Sequence, residues 1–243
     1  VASVLNVSAY LFTRIADPAA LRVVLKGRAD AAALRGTVLL AEEGINLFLA
    51  GAPDDVRGFV DALRREDRFA ALTTKESWSD EQPFGRMLVK VKREIIRMDR
   101  PAIRPESGRA PAVSPAELRR WLDQGHDDTG REVVLLDTRN AFEVDYGTFD
   151  GAIDWRIERF TQFPEAVAEH REQLAGKTVV SFCTGGIRCE KAAIVLRDEG
   201  VDAFQLEGGI LGYFENEGGA HWNGDCFVFD EREALSPDLG PRS

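Results

Sequence analysis

Cys183, Thr184, Gly185, Gly186, Ile187 and Arg188 stand in a row between an apolar run, KTVVSFC, and a segment with helical spacing. A thiol at the carboxyl end of a buried strand lies where open α/β sheets place their reactive groups. The two glycines let the chain curl so that successive N–H groups turn inward as an anion nest. The following helix adds the positive end of its dipole, and Arg188 adds a fixed cation at the rim. Such a cradle makes Cys183 a reactive thiolate and holds a terminal anionic sulfur or oxygen on it. A free thiol with a pKa of about 8.5 is about 3% ionised at neutral pH, and lowering that pKa to about 6.5 takes roughly 2.7 kcal/mol. A helix dipole supplies about 0.3–1 kcal/mol and rarely about 2, so loop N–H groups and the guanidinium must supply the remainder. The plain alternative is a structural cysteine at a strand end, since free cysteines are among the most buried residues. The sequence of strand, Cys-x4-Arg with two glycines, and helix argues for chemistry instead. A phosphatase is the natural competitor, but phosphatase loops of this kind separate Cys from Arg by five residues. Four stand here. The shorter ring suits a persulfide better than a tetrahedral phosphate.

The elements that must hold this loop can be read around it. Ala192, Val195 and Leu196 share a helical face, and Gly200 marks the stop. EVVLLD, KTVVSFC and VDAFQLEGG read as buried strands alternating with helices, an α/β domain with a mostly parallel sheet. It opens at SPAEL, with Ser114 as N-cap, Pro115 at the first helical position and Glu117 completing a capping box. Residues 101–113, PAIRPESGRAPAV, lack periodicity and read as a linker. Before it, VLNVSAYLF is a strand. A helix follows from about Pro18 with Leu21, Val24 and Leu25 on one face. TVLLAEEGINLFLAG is two strands turning near Glu43-Gly44, and a second helix from Pro53 carries Val56, Phe59, Val60 and Leu63. RMLVKVKREIIRM supplies the last strand. The order β-α-β-β-α-β is that of an α+β ferredoxin-like domain. The expected organisation is a ferredoxin-like domain over 1–100, a linker over 101–113, the catalytic α/β domain over 114–223 and a C-terminal tail over 224–243.

Charge divides the chain the same way. The net charge is −10, but residues 1–105 carry 17 Lys and Arg against 14 Asp and Glu, a balance of +3, and the remainder carries −13. A polyanionic partner would therefore meet the first half. From Arg86 to Arg104 there are seven basic residues against Glu94 and Asp99. Lys90 and Lys92 share one face of a strand whose other face carries Val89 and Val91, a basic stripe suited to phosphates. Lys90, Lys92, Arg93 and Arg97 are the candidate nucleic-acid-binding residues; an ordinary solvated sheet face is the plain alternative. Forty-four per cent hydrophobic and 30% charged residues exclude disorder. No apolar run approaches the roughly 18 residues of a membrane span, and VASVLNVSAYLF has no basic leader. Three cysteines, Cys183, Cys189 and Cys226, make no disulfide framework and fit a reducing cytoplasm. His126, His170 and His221 are scattered with no metal-ligand spacing, so no metal site and no cofactor is evident.

LLDTR (Leu135 to Arg139), EVDYGTFDGAI (Glu143 to Ile153), CTGGIRC and LEGGI (Leu206 to Ile210) together resemble a rhodanese domain. One departure is Thr148, where the middle rhodanese segment usually has His, so no histidine base is expected there. With AEEGIN (Ala41 to Asn46), PFGRMLVKVKREII, CTGGIRCEKA and FVFDER, the chain resembles the rhodanese-like tRNA uridine-34 hydroxylase family nearly end to end. That resemblance implies a ferredoxin-like domain before a rhodanese domain. It also implies oxygen-dependent 5-hydroxylation of the wobble uridine in tRNA anticodons, O2 as co-substrate and Cys183 as the catalytic cysteine. Longer members continue into a cysteine-rich, metal-binding extension; this sequence stops soon after FVFDER, and the expectation is that no such site is present. The wobble base would have to be splayed out to reach the loop.

Two other functions stay open on the residues. A sulfurtransferase would pass sulfane sulfur through a Cys183 persulfide, and a non-catalytic module would use the cradle only to hold RNA or an anion. Among secondary residues, Cys189 could resolve a sulfenic acid or persulfide on Cys183, with packing against the sheet as the simpler role. Cys226 is expected to be buried. Asp137 and Arg139 read as structural ties at a strand end, Trp78 and Trp222 as core or hinge packing, and Glu43 and Asn46 as turn residues.

Overall fold

The computed structural model describes residues 3–240; residues 1–2 and 241–243, at the outer ends of the expected ranges, lie outside them. The chain divides into two compact units. One runs up to Arg97 and also takes in Phe229–Arg232, and the other holds Met98–Val228 and the residues from Glu233 on.

In the first unit β1 (Val4–Phe12), α1 (Pro18–Ala31), β2 (Arg35–Ala41), β3 (Gly44–Gly51), α2 (Pro53–Arg64), β4 (Thr73–Ser79) and β5 (Met87–Val91) follow in order. The sheet order is β4-β1-β3-β2-β5. β1, β2, β3 and β4 with the two helices make the ferredoxin-like βαββαβ unit, so its last strand is TTKESWS. RMLVKV forms instead a fifth strand, parallel to β2 at the far edge. The polar alternation of β4 and its lack of fully buried apolar residues hid it from a reading keyed to apolar runs. Asp17 caps α1, accepting from the Ala20 N–H at 2.9 Å. Leu21, Leu25 and Ala29 of α1 and Val56, Phe59, Val60 and Leu63 of α2 enter one core with Leu5, Val7, Leu47 and Leu49. Val24, expected on the inner face of α1, is 45% exposed. In β5 the expected alternation holds for Met87 and Val89, which are buried, and for Lys90, which is exposed. Val91 departs from it, 41% exposed where the strand ends. Trp78 is likewise not core: it is 39% exposed with the Arg57 guanidinium over its ring. Glu43 and Asn46 act as turn anchors, Glu43 accepting from the Ile95 N–H at 2.7 Å and Asn46 Nδ2 donating to the Ile95 carbonyl at 3.3 Å.

The second unit begins at Met98, so the expected linker over 101–113 lies within it and ends in a strand. β6 (Ala112–Val113) pairs in parallel with a later strand, and Val113 is wholly buried. This edge strand is two residues long, too short to show a period. It leads into α3 (Pro115–Gln124), where the Ser114 hydroxyl accepts from the Glu117 N–H at 3.2 Å, and then β7 (Val133–Asp137). After these come α4 (Ala141–Val144), β8 (Gly147–Phe149), β9 (Ile153–Asp154), α5 (Phe163–His170), β10 (Thr178–Phe182), α6 (Ile187–Asp198), β11 (Asp202–Leu206) and α7 (Gly209–Glu217). The five-stranded sheet runs β6-β11-β10-β7-β9 with every pairing parallel, and β10 sits at its centre, each of its residues buried. Phe149, Phe182, Tyr213, Phe214 and Trp222 pack edge to face beside it. Trp222 is core, as read from the sequence.

The residues expected as a tail are built in. β12 (Trp222–Gly224) pairs with β8, and β13 (Cys226–Phe227) pairs with β14 (Ala234–Leu235). Cys226, Val228, Ala234 and Leu235 are buried. Between the last two strands the chain returns to the first unit, where Arg232 donates to the Ser77 hydroxyl at 2.7 Å.

Candidate active site

The Cys183 loop lies between β10 and α6, at the carboxyl end of the central strand. Two contacts turn its carbonyls away from the sulfur. The N–H of Ile210 donates to the Cys183 carbonyl at 2.9 Å, and that of Leu211 to the Thr184 carbonyl at 3.0 Å. Both donors belong to the first turn of α7, where helix N–H groups have no partner of their own. Gly209 makes the approach possible, because a Cβ there would come within 2.6 Å of the Cys183 carbonyl oxygen and of the Gly186 nitrogen. This is the physical use of the LEGGI segment. With the carbonyls held outward, the N–H groups face in. Gly186, at φ +100°, donates its N–H to the Cys183 Sγ at 3.2 Å, and the N–H groups of Arg188 and Cys189 also reach that sulfur. Thr184 joins the arrangement through its hydroxyl, 3.5 Å from Arg188 Nη2, rather than through an N–H on the sulfur. Among the expected cradle residues no contact from Gly185 or Ile187 to the sulfur is seen.

Cys183 is wholly buried. Burial pushes its pKa up, but hydrogen bonding from the Cys189 thiol, the nearby Arg188 charge and the Cys189 and Arg188 N–H groups bring it down to about 6. Cys189 moves the other way, well above an ordinary thiol, through its own burial and then the adjacent Cys183. Of the two sulfurs, the surroundings favour the ionised form at Cys183 and disfavour it at Cys189. Cys226 is pushed up to about 12, chiefly by burial, and stays protonated.

Arg188 is not the open rim cation that the sequence suggests. It is 6% exposed and clasps Glu143 with both terminal guanidinium nitrogens, Nη1 to Oε2 at 2.6 Å and Nη2 to Oε1 at 2.8 Å. Glu143, itself wholly buried, also accepts the Asn140 N–H at 3.0 Å. Burial would raise its pKa, but the Arg188 charge and hydrogen bonds keep it below the ordinary carboxylate range. A buried charge needs such a partner, and Arg188 supplies it in bidentate form while still acting on the sulfur. Glu143 was no candidate in the sequence. Its local signals were its place three residues after Asn140 at a helix start and at the head of the EVDYGTFDGAI segment, neither of which points to Arg188.

A second buried pair stands beside the first. Arg139 Nε and Nη2 donate to the two oxygens of Asp137 at 2.9 and 2.7 Å, and Nη2 also reaches the Gly147 carbonyl at 2.6 Å. Thr148, at the position usually held by His, donates its hydroxyl to Asp137 at 2.8 Å. These residues tie the end of β7 to β8 and make no contact with Cys183.

The basic candidates belong to the other unit. Lys90 lies on β5 and Lys92 and Arg93 just beyond it, all exposed; Arg97 is exposed further on. Of the seven basic residues in that stretch, Arg100 pairs with Glu165 and Arg104 with Glu106, both within the second unit. Among the described residues no three His, Cys, Asp or Glu side chains gather as metal ligands, and no helix is long and apolar enough to cross a membrane.

Comparison with known proteins covers both units. Residues 4–95 match the UPF0176 acylphosphatase-like domain, and residues 114–216 match the rhodanese-like domain. A tRNA uridine(34) hydroxylase of Variovorax paradoxus is 67% identical over 241 residues, 99% of this chain and 92% of that protein. One from Delftia acidovorans is 67% identical over 237 residues, 97% of this chain and 90% of that protein. One from Bordetella pertussis is 64% identical over 242 residues, 99% of each.

Proposed function

The chain belongs to the tRNA uridine(34) hydroxylase family, and from that premise we propose that it is an enzyme placing a hydroxyl group on C5 of the wobble uridine of tRNA, with O2 as co-substrate and Cys183 as the reacting group. The observation that carries the reading is the Cys183 sulfur itself, buried at the end of the central parallel strand with the Gly186 N–H aimed at it from 3.2 Å. A sulfur so held reacts as a thiolate. When it carries a terminal oxygen or sulfur, the same N–H groups and the Arg188 charge meet the developing anion without reorganising. Glu143 keeps Arg188 in place and offsets its charge, so the loop N–H groups bear more of the stabilisation than a free guanidinium would leave them.

The substrate carries its own constraints. A base inside the anticodon stack cannot reach a buried sulfur, so uridine 34 enters extruded. The second unit is acidic and repels RNA. Lys90, Lys92, Arg93 and Arg97 on the first unit supply the phosphate contacts, which makes binding strongly salt-dependent. The enzyme works where tRNA is found, in the cytoplasm.

The test is nucleoside mass spectrometry of tRNA from cells lacking the protein, complemented with wild type or with Cys183→Ser. Wild type restores 5-hydroxyuridine and the variant does not; full restoration by the variant overturns the role given to Cys183.

A further inference from the structure

Outside the Cys183 loop, two side chains set one edge of the second unit apart from the rest of its surface. Phe142, 46% exposed, is the one large apolar side chain that this unit leaves open among the described residues. Arg159 is exposed, and it alone of the unit's described arginines has no carboxylate partner. Both stand at the end of the sheet that holds Cys183. β7 runs parallel to β10 and to β9, with Asp137 opposite Phe182 and Asp154, so the chain leaving each strand emerges at the same carboxyl edge. Beyond β7 and β9 the two exits are joined, the Ala141 N–H donating to the Ile157 carbonyl at 2.7 Å. Phe142 follows Ala141 and precedes Glu143, the residue that clasps Arg188 at the end of the Cys183 loop. It therefore lies between the segment that carries the sulfur and the segment that carries Arg159. Its ring is steadied edge to face on Phe227, with centroids 5.1 Å apart and planes at 84°. Of the carboxylates on these segments, Asp145 and Asp154 are taken up by Arg156 at 2.8 and 3.1 Å, and Glu158 is exposed without pairing to Arg159.

A ring braced on one side and half open, with an unpaired guanidinium on the adjoining segment, has the two parts that grip a single strand of RNA. The ring gives a base a surface to stack on, and the cation meets the backbone phosphate. We propose that Phe142 and Arg159 form such a rim for the catalytic loop, the ring stacking the base next to the extruded uridine 34 and Arg159 meeting the RNA backbone there. The proposal rests on the tRNA reading above and adds to it where the catalytic unit itself touches the substrate. Turning uridine 34 out of the anticodon stack costs its neighbour a stacking partner. The Phe142 ring replaces that partner, which favours the extruded form over the stacked one. Every base has a face to stack, so the rim is indifferent to which base stands beside uridine 34.

The experiment measures, by fluorescence anisotropy, the affinity of the purified full chain for a labelled RNA hairpin of an anticodon stem and loop carrying uridine 34. Phe142→Ala weakens binding by about tenfold, within the range that removing a stacked aromatic costs. Phe142→Leu, which keeps an apolar side chain against Phe227, is expected to bind as weakly, and Phe142→Tyr as tightly as wild type. Should the alanine variant not fold, leucine carries the same comparison. Arg159→Ala weakens binding and lowers the slope of log affinity against log salt by about 0.7, the value for one single-strand phosphate, whereas Arg159→Lys keeps the slope. The decisive comparison uses two further hairpins, each abasic on one side of uridine 34. On one of them wild type and Phe142→Ala bind alike, because the stacked base is gone. A leucine variant as tight as wild type overturns the proposal, since packing alone would then explain the ring. So does a loss that persists on both abasic hairpins, or a salt slope unmoved by Arg159→Ala. A wild-type protein that fails to bind the intact hairpin overturns instead the tRNA reading on which the rim depends.

Discussion

The two units bury different things. Through Arg97 the buried polar side chains are Asn6, Asn46 and Ser79, all uncharged, and ion pairs such as Arg57 with Glu76 or Arg68 with Glu66 lie at the surface. The second unit buries Asp127, Asp137, Arg139, Glu143, Arg188, Glu190 and Lys191. Two of its ion pairs, Arg139 with Asp137 and Arg188 with Glu143, are almost free of solvent. Burying charge is costly and is tolerated only where every charge is matched. The matched charges gather around the end of β7 and the start of α6, beside the buried Cys183.

The contrast can be broken or sharpened by substitution. The largest effect is expected from Cys183→Ser: with Cys183 as the proposed reacting group, hydroxylation falls by at least about 10³-fold. Single-turnover assay with purified tRNA reads it, and the fold is unchanged. Next is Glu143→Gln. Removing one partner of a buried pair leaves the other charge uncompensated and destabilises by about 3–5 kcal/mol. Denaturant unfolding followed in the second unit measures that loss. The counterpart in the first unit, Arg57→Ala, removes an exposed pair and is expected to leave unfolding unaltered. Equal losses for the two variants would erase the distinction between the units.

A smaller effect, confined to the first unit, is expected when Lys90, Lys92 and Arg93 are replaced together by alanine. Affinity for tRNA falls, and the slope of log affinity against log salt is reduced by about one for each phosphate no longer neutralised. Cys183 labelling does not change. If labelling falls and tRNA affinity does not, the division of labour is reversed. The mildest perturbation is pH. The fold lowers the pKa of Cys183, so the anion persists below the pH at which an unfolded thiol would take up a proton, and it is lost only as pH falls through about 6. The hydroxylation rate with bound tRNA is expected to be flat above that value and to decline tenfold per unit well below it.

Legibility in the sequence followed contiguity. CTGGIRC was readable because strand, thiol, glycines and helix are consecutive, and the parallel sheet because its central strands are unbroken apolar runs. α2 was readable from four residues at helical spacing, all of which are buried. The fourth ferredoxin strand was not, because Thr73–Ser79 is polar and lacks a fully buried apolar residue, and its place was given to the more apolar β5. β6 was hidden by its length. At the site, the partners seen only in the fold are those far along the chain. Glu143 meets Arg188 across 45 positions, and the N–H groups of Ile210 and Leu211 brace the loop from another helix. No period or local motif encodes such a pairing. The rim position expected for Arg188 failed for the same reason, since the spacing of Cys and Arg is silent on whether a carboxylate lies in wait.

The most direct measurement is the pH dependence of iodoacetamide labelling at Cys183 in the purified protein, with the labelled peptide identified by mass spectrometry. A midpoint near about 6 is expected, with Cys189 and Cys226 unlabelled across the same range. A midpoint in the ordinary thiol range of about 8–9 would contradict the claim that this loop holds one sulfur ionised.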